Sequence, residues 1–136
     1  MKIFNNKKKI IILGSCILVL IVALLIITIL PSLSKTESEL VDITKDTQLD
    51  GLYFTDPMLL EENGIYEYNV EVENTNKSDY QLNYVKFTLY NEDKEEIVTL
   101  IGFAGEKLKP SEKKTISANV DMDIRNAKFV KINIEK

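Results

Sequence analysis

Twenty-one acidic residues and six tyrosines supply nearly all the chemistry open to this 136-residue chain, which has no histidine, no tryptophan and one cysteine. Carboxylates can hold calcium, but that ion needs six to eight oxygens on a D-x-[DN]-x-[DN]-G loop closed by a Glu. None of the acid-rich stretches, Glu61-Glu62-Asn63, Asn91 to Glu96 and Asp121-Met122-Asp123, has that spacing, and Lys94 interrupts the densest of them. They read as solvated turns. Two carboxylates about 5 to 10 Å apart could cleave a glycosidic bond, but among so many acids some pair meets that distance by accident. Without imidazole no serine has a histidine base. The one thiol, Cys16, lies inside an apolar run, so His/Cys zinc sites, thiol catalysis and intrachain disulfides are also excluded. The five glycines form no phosphate-cradling loop. The expectation is a protein that is not an enzyme, with no cofactor and no metal.

Tyrosine offers another kind of chemistry, recognition through large amphipathic area at small entropy cost. All six lie between Tyr53 and Tyr90. Beyond the four N-terminal lysines, 13 basic residues face 21 acidic ones, a net charge of −8. Such a surface repels phosphate backbones and anionic lipid and excludes nucleic acid as a partner. It attracts cations or a basic patch on another protein.

The elements that position these residues come from hydrophobic periodicity. From Leu49 to Lys136 short alternating runs are separated by turn residues, the signature of an all-β domain. Leu52, Phe54, Met58 and Leu60 mark a first strand, interrupted near Asp56-Pro57 because proline cannot donate to a ladder. Tyr66, Tyr68, Val70 and Val72 alternate with polar residues and predict one buried face. Val85, Phe87 and Leu89 form the next inward set. Parity then turns Tyr84, Lys86, Thr88 and Tyr90 to the other face, which makes those four the candidate interaction face. Ile97 to Phe103 carries no charge and is expected to be buried on both sides or at a sheet crossing. Ile116, Ala118, Val120 and Met122 alternate again, and Val130, Ile132 and Ile134 close the chain. Six or seven such strands predict a small antiparallel β-sandwich.

Residues 10–30 form a continuous uncharged stretch of 21 residues. At roughly 1.5 Å per residue it matches a hydrocarbon core of about 30 Å, so one N-terminal transmembrane α-helix is expected. Lys2, Lys7, Lys8 and Lys9 precede it, and the positive-inside rule places residues 1–9 as a short basic cytoplasmic tail, with everything after Pro31 outside. Two other fates use the same residues: lipidation at Cys16 within Leu13-Gly14-Ser15-Cys16, or cleavage near Ser34. Residues 31–48, rich in Ser, Thr, Lys and acids, read as a polar tether, and residues 49–136 as the outer domain.

Phe87-Thr88-Leu89-Tyr90-Asn91 resembles the signature of the FxLYD domain, a bacterial extracytoplasmic module. Tyr68 to Asn74 is similar to that family's strand ending in Asn, and Leu108-Lys109-Pro110-Ser111-Glu112 to its L-x-P-G-E loop. The resemblance implies an immunoglobulin-like sandwich, Phe87 and Leu89 as core positions, and no catalytic activity. Asn91 stands where the signature has Asp and keeps a side-chain acceptor for the turn. Ser111 stands where it has Gly, leaving open whether that turn needs a positive φ.

Two functional readings follow. In the first, a single-pass membrane protein displays the sandwich as a non-catalytic module that binds another protein of the cell envelope. In the second, the chain is an accessory subunit that meets its partner through the helix, with the outer domain as a spacer.

Overall fold

The structure is a computed structural model that describes residues 36–136. The expected tail with Lys2, Lys7, Lys8 and Lys9, the expected span 10–30, Cys16 and Ser34 lie outside the described residues. The described part is all-β. Its eight strands are β1 (Val41–Asp42), β2 (Thr47–Leu49), β3 (Leu52–Glu62), β4 (Ile65–Asn74), β5 (Tyr80–Tyr90), β6 (Glu96–Leu108), β7 (Lys113–Val120) and β8 (Phe129–Glu135). They form two antiparallel four-stranded sheets, the first in order β1-β8-β5-β6 and the second β2-β3-β4-β7.

Alternation explains why the sheets stack. Val85, Phe87 and Leu89 of β5 are wholly buried, as are Leu52, Val72 and Ile116. Tyr66, Tyr68, Val70, Ala118, Val130, Ile132 and Ile134 also turn inward. Across the interior the Tyr68 and Phe87 rings meet edge to face at 5.1 Å, a favoured aromatic geometry. The Tyr68 hydroxyl donates to the Ile43 carbonyl at 3.3 Å. Ile124 and Ala127 plug the core from the connection between β7 and β8.

Four expectations are corrected. Residues 36–48 are not a free tether, since β1 pairs with β8, β2 pairs with β3, and Ile43 is buried. The stretch has few apolar residues, but backbone bonding to sheet edges needs only one or two inward side chains. Met58 and Leu60 are about half exposed rather than inward. A bulge between Thr55 and Met58 sets two β3 residues against one on β4 and flips the side-chain phase, so Leu59 packs inward instead. Ile97 to Phe103 is not buried on both sides, because β6 is an edge strand with Ile101 and Phe103 outside. Met122 lies beyond β7 and is exposed.

The sandwich has two distinct ends. The base gathers the Asp50–Gly51 turn, the connections 75–79 and 109–112, and Lys136. The described chain begins beside β8, where Ile134 N donates to the Thr36 carbonyl at 2.6 Å, level with Val85 midway along β5. The far end gathers the turns at 63–64 and 91–95 and the connection 121–128. All three acid-rich stretches lie there.

Asn74 organises the base. It is fully buried, and its Nδ2 donates to the carbonyls of Ser78 (2.9 Å) and Leu108 (2.8 Å). Its Oδ1 accepts from the backbone N and the Nδ2 of Asn76, both at 3.0 Å. Asn76 Nδ2 also reaches the Gly51 carbonyl at 3.1 Å. Gly51 has φ +73 and lies so close to the Asn76 amide that a Cβ there would collide with it, so only glycine fits.

Candidate interaction face

β5 is flanked by β8 and β6, and its outward residues Tyr84, Lys86, Thr88 and Tyr90 all lie on the outer face of the first sheet, half-buried among their neighbours. Cross-strand register extends the row. Tyr84 stands opposite Phe103 and Glu135, Lys86 opposite Ile101 and Asn133, and Thr88 opposite Thr99 and Lys131.

The chemistry of this face changes along its length. Towards the base it is aromatic: the Tyr84 and Phe103 rings lie 6.1 Å apart, tilted at 52°. Lys86 Nζ sits 5.6 Å from the Tyr84 ring centroid and 3.3 Å from Glu135 Oε1. Phe103 is 74% exposed and Ile101 45%. An edge strand carrying an uncharged outer row is a surface that proteins ordinarily blunt with charge or proline.

Towards the far end the face is polar. Thr88 and Thr99 share a hydroxyl hydrogen bond at 2.9 Å. Lys131 pairs with Glu37, whose hydrogen bond and charge hold the ammonium above the usual lysine range. Asn133 Nδ2 donates to Glu37 at 3.3 Å. With Tyr90 and Glu96 these residues line a shallow groove of about 220 Å³. Lys86, Thr88, Thr99, Lys131, Asn133 and Glu37 in it are already engaged in hydrogen bonds or ion pairs.

Sequence reasoning missed Phe103 and Ile101, the most accessible apolar members of the face. Their charge-free run is the same text for a strand buried on both sides and for an edge strand with an apolar outer row. Asn91 does organise its turn, with Oδ1 accepting from Glu95 N at 2.9 Å. Ser111 has φ +65, so the turn takes the left-handed conformation even with serine in place. The acidic stretches gather no metal-binding cluster among the described residues.

The outer face of the second sheet differs. Met58, Leu60 and Ile65 are exposed there. Asn69, opposite Met58 and Ser117, buries an Oδ1 with no hydrogen-bond partner.

No family model matches the chain, and no curated protein is similar to it in sequence. Among solved structures, the DUF1425 family member from Shewanella sp. pv-4 is 14% identical, with a TM-score of 0.43 over 73% of this chain and 96% of that one. The trimeric lipoprotein SadB of Salmonella enterica is also 14% identical, with a TM-score of 0.52 over 97% of this chain and 75% of that one. At that identity the second likeness is one of fold, and the chain is similar to a bacterial lipoprotein in the way its β-sheets are arranged.

Proposed function

We propose that this chain is a single-pass membrane protein whose C-terminal sandwich stands outside the cytoplasm and binds another envelope protein without catalysis. The observation that carries this reading is the outer face of β5 and β6, where Phe103 stands 74% exposed beside Tyr84, Ile101 and Lys86. Aromatic residues with a nearby cation are the usual anchors of protein interfaces. The run of 21 uncharged residues and the lysines before it support the anchor and its orientation. The strand orders β3-β4-β7 and β8-β5-β6 match the A-B-E and F-C-C′ neighbours of an immunoglobulin-like sandwich, in keeping with an FxLYD-type module. The fold shared with a protein described as a lipoprotein is in keeping with an envelope location.

The test is site-specific photocrosslinking of the full chain in cells. A crosslinker at position 84 or 103 should capture one defined protein, and the same group at Thr115, on the outer face of the second sheet, should not. Capture only from positions within 10–30 would replace this reading with the accessory-subunit one.

A further inference from the structure

Three of the four sheet edges are short or charged, and the fourth is neither. β1 has two residues, β2 has three, and β7 opens on Lys113-Lys114. Short strands and lysines are ordinary devices that keep an edge from pairing with another chain. β6 runs for 13 residues, contains no proline, and carries no charge between Glu96 and Glu106. Among the described residues no strand lies on its outer side.

The open part of this edge is regular. Register with β5 shifts between Leu82 and Tyr84 and again between Leu89 and Tyr90, and residues 98–103 stand in unbroken register with 84–89 between the two shifts. In an antiparallel ladder alternate residues turn their N–H and C=O away from the neighbouring strand, so about three of these six present both groups to the open side. Lys114 Nζ bonds the Ala104 carbonyl at 3.1 Å and pairs with Glu106. It guards only the stretch beyond Phe103. Gly102 lies so close to the Ile116 side chain that a Cβ would collide with it, which seats β6 against β7 and holds the open stretch in place. A strand already fixed in its pairing conformation loses little entropy when a second strand joins it.

The charges along β6 select the strand that fits. It begins at the acidic pair Glu95-Glu96 and ends at Lys107 and Lys109, with the intervening Glu106 already paired to Lys114. A second copy running antiparallel sets the acidic start of each strand beside the basic end of the other. A parallel copy would set like charge against like. About a two-fold axis at Gly102, Ile101 of each copy also stands opposite Phe103 of the other on the outer face, an aromatic and β-branched cross-strand pair of the kind that stabilises sheets.

We infer that two copies of this chain pair antiparallel through residues 98–103 of β6, joining their first sheets into one sheet of eight strands. Such a contact is isologous and closes at two. It goes beyond the binding reading above, because the second copy adjoins β6 within the plane of the sheet and leaves the outer face at Tyr84 open.

The test is disulfide crosslinking of two differently tagged full chains expressed together, with Cys16→Ser in both. One carries Ile101→Cys and the other Phe103→Cys. Opposed residues of an antiparallel pair have Cα atoms about 4.5 to 5.5 Å apart, within reach of a disulfide. Oxidised lysate should give a band joining the two tags, several-fold stronger than the band from Gln48→Cys in both chains, on the short β2 edge. Lys107→Glu should weaken association about fivefold, as two exposed ion pairs turn repulsive, and Glu96→Lys added to it should restore the band. An equal band from the β2 control, a product of three chains, or another protein joined to position 101 in place of the second copy would overturn the inference. No band joining the tags, with partner capture from position 84 intact, would overturn the dimer and leave the binding reading standing.

Discussion

The two ends of the sandwich are tied by different kinds of bond. At the base, side chains join residues far apart in sequence: Asn74 to Leu108, Asn76 to Gly51, and the Tyr80 hydroxyl to Asp50. At the far end most side-chain ties are local, Asn91 to Glu95, Arg125 to Asp123 and Gly64 N to Glu61, and the backbone bond from Lys128 N to Tyr90 O adds a long-range one. A local tie shapes one turn, and the strands on either side keep their place without it. A long-range tie sets where three connections sit relative to one another, and its loss leaves several buried groups unpaired at once. Outside Ile124 and Ala127, which plug the core, a change at a far-end turn disturbs fewer buried groups than one at the base.

The comparison breaks first at Asn74. Asn74→Ala strands two buried carbonyls and the Asn76 donors, and should cost about 3 to 5 kcal/mol in urea denaturation of a fragment beginning at Lys35. A loss under about 1 kcal/mol would mean that the base is held by backbone alone. Alkaline pH should act next. Burial raises the pKa of the Tyr68 hydroxyl above its ordinary 10.0, and burial together with the Asp50 bond raises that of Tyr80. A folded-state pKa above the unfolded one gives stability that is complete below pH 10 and is lost as pH climbs past it. Tyr68→Phe keeps the ring packing and should flatten the fall in melting temperature above about pH 10. Identical slopes would show that the hydroxyl ionises freely in the fold.

At the far end the matching change is smaller. Asn91→Ala removes one exposed acceptor from a turn and should cost about 1 kcal/mol. A cost equal to that of Asn74→Ala would erase the distinction between the ends. The smallest effect has the opposite sign: Ser111→Gly relieves a left-handed serine at the base and should raise stability by about 0.5 to 1 kcal/mol. A loss would show that the serine side chain does something beyond tolerating its φ.

Much of this architecture was legible because its strands bury one face. Val85, Phe87 and Leu89 fall on alternate positions and are buried, and the same parity turned Tyr84 and Tyr90 outward. The interruption at Asp56-Pro57 is legible in the sequence, but not the change of phase that the bulge brings, which exposes Met58 and Leu60. β1 and β2 were hidden because their pairing is a backbone property that carries little hydrophobic pattern. Ile124 and Ala127 were hidden because a loop residue that plugs a core has no period. Of the candidate face, the β5 row could be read from sequence, whereas Phe103 and Ile101 depended on which strand ends the sheet, a fact of topology rather than of spacing.

The stretch from Thr36 to Val41 runs beside β8, held by the bonds from Ile134 N to Thr36 O, Ser38 N to Ile132 O and Ile132 N to Ser38 Oγ. A pull on the chain at Thr36, directed along β8 and resisted by the rest of the sheet, acts along this stretch. The bonds are then loaded in shear and must yield together, where a perpendicular pull would open them one after another. The way the chain enters its own sheet thus makes the stretch from Thr36 to Val41 a mechanical clamp, strongest against a pull along β8.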